Sequence, residues 1–262
     1  HAPQDSVEVR LRMFLARTEL GDIARASGEL EWARRLARDP HDWRLHWHRG
    51  LLELAMRRPA EARAAFDAVY DALPGEAAPK LALAISAEYQ RDYFAAARYY
   101  EQVWRTDRSY VSAAFGLVRV YLAQAARAGA IEVLESVPDN SSHYVTAQVT
   151  AIKIKARAHE VAKLAEPDLY DAARRLERLA LDAERRTQLS AEVLEAAYGW
   201  VRAGRPGGGQ TGGTVLGCDL SERELRFGLE RCYRALARLA GTPEQRHELV
   251  DRANAIRPRT LT

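Results

Sequence analysis

The chain has 262 residues, 47% of them apolar and 29% charged, a composition compatible with a folded core in water. Its 39 basic and 36 acidic residues leave a net charge of only +3, and the interleaved signs argue against a nucleic-acid-binding stripe. The sequence has no long apolar run and no signal-peptide core, so it predicts neither a membrane span nor export, and the cytoplasm is the expected location.

The first predicted unit spans residues 6–40 and follows a short terminal segment, 1–5. Because the chain opens at His1 rather than Met, we interpret that segment as an added tail or linker, or the chain as a fragment of something longer. The second helix of this unit carries a small, a bulky and a small apolar residue on one face, namely Ala26, Leu30 and Ala33.

The same pattern then returns every 34 residues in predicted units 42–74, 76–108 and 109–138. The sets are Ala62, Phe66 and Val69; Ala96, Tyr100 and Val103; and Ala130, Leu134 and Val137. A spacing of i, i+4 and i+7 marks one helix face, and a period of 34 is typical of the tetratricopeptide (TPR) repeat, a helix–turn–helix unit. The sequence therefore predicts an all-α TPR-type solenoid, in which each unit buries its apolar face against the next.

A degenerate fifth unit is predicted over 143–182, where Ala172, Leu176 and Leu179 repeat the pattern 42 positions after the previous set. The extra residues are expected near 157–167. The Val, Thr and Ile content of residues 144–154 also suits a strand, but a helical spacing is present and no partner strand is visible, so we predict a helix.

C-terminal helices are predicted over 183–257, interrupted by a Gly-rich loop at 205–217. Gly207 to Gly212 matches G-x-G-x-x-G as a string, but it lacks the strand before it and the helix directly after it that a phosphate-binding loop needs. We interpret it as a flexible insertion. Ser221 and Thr242 are predicted to open the last two helices as N-caps.

No catalytic residue, cofactor or metal is predicted. Protein-kinase motifs and a nucleophile elbow are absent from the sequence. His46 and His48 lie two apart, point to different helix faces, and are interpreted as surface or groove histidines. The two cysteines, Cys218 and Cys232, have neither zinc-knuckle nor redox spacing, and Cys232 is expected to be a buried thiol.

A partner groove is the one functional site that the repeats suggest, because the first helices of TPR units face a bound peptide. Counting from the repeat register gives five candidate groove residues: Arg44, Trp47, Leu51, Ser112 and Arg119. None is Lys or Asn, so the clamp by which some TPR domains hold a chaperone carboxylate is not matched.

Several strings resemble one family more specifically. They are Trp43-Arg-Leu-His-Trp47, the stretch 74–84, Ala113-Ala-Phe-Gly-Leu117, Asp171-Ala-Ala-Arg-Arg175 and the tail 249–258. They are similar to the C-terminal TPR domain of the actinobacterial protein kinase G (PknG) family, over roughly residues 6–257.

The resemblance implies a non-catalytic interaction and regulatory domain of a soluble Ser/Thr kinase. It implies that the domain supports its own kinase domain, contributes to self-association, and helps select a forkhead-associated (FHA) domain substrate that controls glutamate and 2-oxoglutarate metabolism. The insertion at 207–213 departs from the family pattern and puts contacts by that loop in doubt. The alternative is a stand-alone TPR adaptor for another protein, such as a transcription regulator.

Overall fold

The computed structural model describes residues 5–156, 164–204 and 213–258, and these ranges form thirteen α-helices and no β-strand beyond an isolated bridge between Val215 and Cys218. The helices are α1 Val7–Glu19, α2 Ile23–Leu36, α3 Trp43–Ala55, α4 Pro59–Ala72, α5 Ala77–Tyr89, α6 Tyr93–Thr106, α7 Val111–Ala123, α8 Arg127–Glu135, α9 Tyr144–Lys155, α10 Glu166–Arg178, α11 Ala183–Arg202, α12 Glu222–Leu239 and α13 Pro243–Ile256. The predicted all-α TPR fold is confirmed, and so is the helix over residues 144–154. The Gly207–Gly212 string and residues 1–4 lie outside the described residues, as do residues 157–163 of the predicted connection.

The chain divides into two compact units, residues 1–133 and 134–262. Within the first unit, α1 packs on α2, α3 on α4 and α5 on α6, and each hairpin also contacts the helix that follows it. Within the second unit, α9, α10 and α11 contact one another, and α11, α12 and α13 pack in succession.

The first helix of each hairpin in the first unit ends in the same way. One residue adopts a left-handed backbone, with φ of 75° at Gly21, 58° at Arg57, 60° at Arg91 and 57° at Ala125. The following N–H donates to the carbonyl five residues back, as from Arg58 to Glu53 at 2.8 Å, which satisfies the helix end and reverses the chain. The turns therefore repeat with the same 34-residue period as the core.

The repeated apolar sets lie in the core, as predicted. The bulky members Phe66, Tyr100 and Leu134 are 0%, 1% and 0% exposed. Gly50 on α3 and Gly116 on α7 explain how two of these rings fit: a Cβ built on either glycine would lie 2.4 Å from the ring of Phe66 or Tyr100. The absence of a side chain at these two positions lets the helices approach closely.

In the second unit, a group of four charged residues lies between α8, α9 and α10. Lys155 is buried, contacts Asp171 and lies 2.8 Å from Glu135. Arg175 reaches Asp171 at 2.8 Å and Glu135 at 2.9 Å. Two cations facing two carboxylates compensate one another, so loss of any one member would leave a poorly solvated charge.

Replacing Gly50 with Ala should destabilise the chain by about 1–3 kcal/mol, because the new methyl group overlaps the ring of Phe66. Gly28 is the matched control: it lies inside α2, and a Cβ there would meet nothing within 4 Å. Gly28→Ala should stabilise by about 0.5–1 kcal/mol through the better helix propensity of Ala. Urea unfolding measures both, and effects of equal sign would contradict the close approach at Gly50.

Phe66→Ala should cost about 3–5 kcal/mol through the cavity left in the core. Phe94→Ala removes the same ring from a position that is 80% exposed and should change the free energy of unfolding by less than about 0.5 kcal/mol. A loss below about 1 kcal/mol at Phe66 would show that its ring does not fill the seam between helices.

Candidate functional site

The first helices of the four hairpins, α1, α3, α5 and α7, share a surface that we call the A-helix face. Two contacts show that these helices lie side by side: Arg44 on α3 reaches Glu8 on α1 at 3.5 Å, and Arg119 on α7 reaches Glu88 on α5 at 2.7 Å. The five candidate groove residues all belong to α3 or α7. Because α5 lies between those helices in the repeat order, it contributes to the same face.

Three aliphatic residues occupy equivalent positions on successive A helices, and we call them the apolar strip. Leu15 is 41% exposed and Ile85 is 36% exposed, while Leu51 is half-buried. Trp47, one turn before Leu51, packs edge-on against Phe66 with ring centroids 5.3 Å apart. The candidate list contained Leu51 but missed Ile85, which lies one 34-residue period further along the chain.

Arg44 is held by acidic neighbours. Its Nη2 donates to Asp42 Oδ2 at 2.6 Å and its Nε to Asp42 Oδ1 at 3.0 Å. These hydrogen bonds lower the pKa of Asp42 below its ordinary value of 3.8. The guanidinium of Arg44 is therefore already engaged by carboxylates of this chain.

Arg119 is held in a similar way. It donates to both oxygens of Glu88, at 2.7 and 2.8 Å, and the buried Tyr100 donates to the same carboxylate at 2.8 Å. Burial would raise the pKa of Glu88, but hydrogen bonds from Arg119 and Tyr100 outweigh it and lower the pKa below 4.5. A surface arginine is thus connected through Glu88 to a ring in the core.

Ser112, the fifth candidate, is exposed on the first turn of α7. The structure therefore places all five candidates on the A-helix face, but in different roles. Leu51 and Trp47 supply apolar surface, Ser112 is open to solvent, and the two arginines form ion pairs across or beside the face. Between those ion pairs, the face presents aliphatic side chains.

The interpretation of both histidines as surface or groove residues was wrong for His48. His48 is buried, its ring packs edge-on against Phe14 with centroids 5.2 Å apart, and its Nδ1 lies 2.6 Å from the carbonyl oxygen of Arg44. Burial lowers the pKa of His48 below 6.5, which keeps the ring neutral. No cluster of metal-ligating side chains is found in the described parts of the chain.

The expectation of a buried thiol at Cys232 holds only in part. Cys232 is partly buried, whereas Cys218 is buried and accepts a hydrogen bond from Arg231 at 3.3 Å. Burial raises the pKa of Cys232 to about 11, so this thiol is protonated and a poor nucleophile at neutral pH.

The second unit has one larger surface cavity of about 810 Å³ between α9 and α11. Its apolar wall includes Val145, Val149 and Leu189, and Lys153 and Glu192 form an ion pair at 3.2 Å on its rim. No helix in the described ranges is both long enough and apolar enough to cross a bilayer.

Comparisons with known proteins agree with the repeat architecture. The family model described as "Protein kinase G tetratricopeptide repeat" matches residues 1–260. Proteins called serine/threonine-protein kinase PknG are 37% identical over 254 residues in Mycolicibacterium smegmatis and 36% identical over 255 residues in Mycobacterium leprae. Each alignment covers 97% of this chain but 32% of the relative, so the chain spans about a third of the length of these relatives.

Solved structures match at low sequence identity. The C-terminal part of a TPR repeat-containing protein from Cytophaga hutchinsonii has a TM-score of 0.64 at 11% identity, covering 95% of this chain and 89% of that one. The Pseudomonas aeruginosa protein PilF has a TM-score of 0.54 at 13% identity, covering 92% and 95%. At these identities the likeness shows the fold alone.

Glu88→Gln should destabilise the chain by about 1–2 kcal/mol at pH 7, because it weakens the bonds from Arg119 and Tyr100. A carboxylate whose folded pKa is lowered stabilises above its unfolded pKa and loses that contribution as pH falls through the folded value. The difference between wild type and variant should therefore shrink below about pH 4.5. Urea unfolding at pH 7 and pH 4 measures it, and a pH-independent difference would contradict the ionic role of Glu88.

Proposed function

The chain belongs to the PknG tetratricopeptide-repeat family, and we propose that it is the protein-interaction and regulatory region of a PknG-like Ser/Thr kinase. In this role it binds proteins and performs no catalysis of its own. It acts in the cytoplasm. Its two classes of partner are the kinase domain of the same protein and a separate substrate protein.

The apolar strip of the A-helix face is the observation that carries this proposal. Leu15, Leu51 and Ile85 leave a row of aliphatic surface on three successive helices, and such surface favours a partner through the hydrophobic effect. Arg44 and Arg119 already bind acidic groups of this chain, so capture of a partner carboxylate would have to displace those bonds. The face thus suits apolar contact rather than a carboxylate clamp.

Resemblance to the family supplies the identity of the substrate partner, an FHA-domain regulator of glutamate and 2-oxoglutarate metabolism. We propose that the A-helix face presents this regulator to the kinase domain, so that substrate choice depends on the TPR region. Self-association of the chain, through a surface that its residues do not identify, is a further part of the proposal.

Ile85→Glu should weaken binding of the FHA-domain protein at least about tenfold, corresponding to about 1.4 kcal/mol, because it places a charge in the apolar strip. Leu36→Glu is the matched control: Leu36 is 37% exposed against 36% for Ile85, but it lies on α2 and not on the A-helix face. Isothermal titration of each variant measures the affinity, and thermal unfolding checks that both variants remain folded.

Equal losses in the two variants would reject the A-helix face as the binding surface. Failure of the wild-type chain to bind either the FHA-domain protein or the kinase domain would favour the alternative, a stand-alone TPR adaptor for another protein such as a transcription regulator. Reading the genomic frame upstream of residue 1 for kinase motifs separates these two functions directly.

A further inference from the structure

A second surface of the first unit lies at the turns of the second and third hairpins, and we call it the turn edge. Its members are Arg57, Tyr89, Arg91 and Phe94. Tyr89 is 72% exposed and Phe94 is 80% exposed, although aromatic rings usually bury most of their area. Arg, Tyr and Phe are the residue types enriched in protein interfaces, so this surface has the composition of a binding site.

A cavity of about 490 Å³ opens on the turn edge. Leu54, Ala55 and Pro59 form its apolar wall, and Arg57 and Tyr89 stand at its border. The side-chain amide of Gln90 donates to the carbonyl of Pro59 at 2.8 Å and joins the two turns behind it. The cavity is therefore a formed feature of the hairpin turns, with room for an apolar side chain.

The two arginines of the turn edge are held in equivalent positions. Both adopt the left-handed backbone, and in both turns the next residue closes the helix end, from Arg58 to Glu53 at 2.8 Å and from Asp92 to Ala87 at 2.9 Å. Among the described residues, neither Arg57 nor Arg91 has an acidic side chain within 4 Å, whereas Arg44 and Arg119 are paired. Two uncompensated positive charges thus flank an apolar cavity.

We propose that the turn edge binds an acidic peptide segment of a protein partner, with one aromatic or large aliphatic side chain among its carboxylates. The apolar side chain enters the cavity beside Leu54 and Tyr89, and the carboxylates pair with Arg57 and Arg91. A bounded cavity of this kind selects a discrete side chain, which favours a peptide over a lipid surface. This site is separate from the A-helix face and does not rest on the function proposed for it.

A fluorescein-labelled peptide of sequence Glu-Asp-Phe-Asp-Glu, blocked at its C-terminus, serves as the probe, with fluorescence anisotropy as the readout. The whole chain should bind it, with weaker binding when salt is raised from about 50 to about 300 mM. A peptide with Ala in place of Phe should bind at least roughly tenfold more weakly. The paired variant Arg57→Glu with Arg91→Glu should lose at least roughly tenfold in affinity.

The control pair is Arg12→Glu with Arg105→Glu, which makes the same change in net charge at side chains that are 78% and 74% exposed elsewhere on the unit. It should keep the affinity within about twofold, and so should Ile85→Glu, which alters only the A-helix face. Circular dichroism melting confirms folding, and Arg57→Gln with Arg91→Gln replaces the Glu pair if that pair unfolds.

Equal losses in the two charge-reversed pairs would overturn the proposal in favour of general charge attraction. Unchanged binding of the Ala peptide would overturn the role of the cavity. Absence of peptide binding would also overturn it, including the case in which vesicles of phosphatidylserine and phosphatidylcholine bind through the same arginines.

Discussion

The contact between a ring on one helix and a glycine on its neighbour is the interaction on which the first unit depends. Phe66 presses on Gly50, and Tyr100 presses on Gly116, at distances that would exclude even a methyl group. Large buried rings contribute much of the free energy of burial, but only if the facing helix comes close enough to enclose them. The spacing of the helices, and hence the position of the A-helix face, follows from this fit.

Much of the fold could be predicted from the sequence because its determinants are local and repeated. The positions of Phe66 and Tyr100, 34 residues apart, indicate both a helix face and a stacking unit, and both rings are buried. The spacing of Ala172 and Leu176 carried the same pattern into the second unit despite a longer interval. Periodicity succeeds here since each repeat solves the same packing problem with the same residue types.

The candidate site was less predictable. The spacing of His46 and His48 shows that they point to different faces, but it does not say which face is inside, and His48 proved to be buried against Phe14. The partner of Arg119 is Glu88, 31 residues away, and this pairing depends on side-chain conformations that no sequence pattern encodes. The register did hold the signal for Ile85, because it lies one period after Leu51.

The helices of this chain contact mainly the helices next to them along the sequence. Such a structure has a low contact order, so little chain entropy is lost before each contact begins to stabilise the fold. Folding can therefore begin at any one hairpin and spread to its neighbours, as in other repeat proteins. It also means that fraying at one hairpin need not unfold distant ones, so different hairpins can differ in their protection from hydrogen exchange.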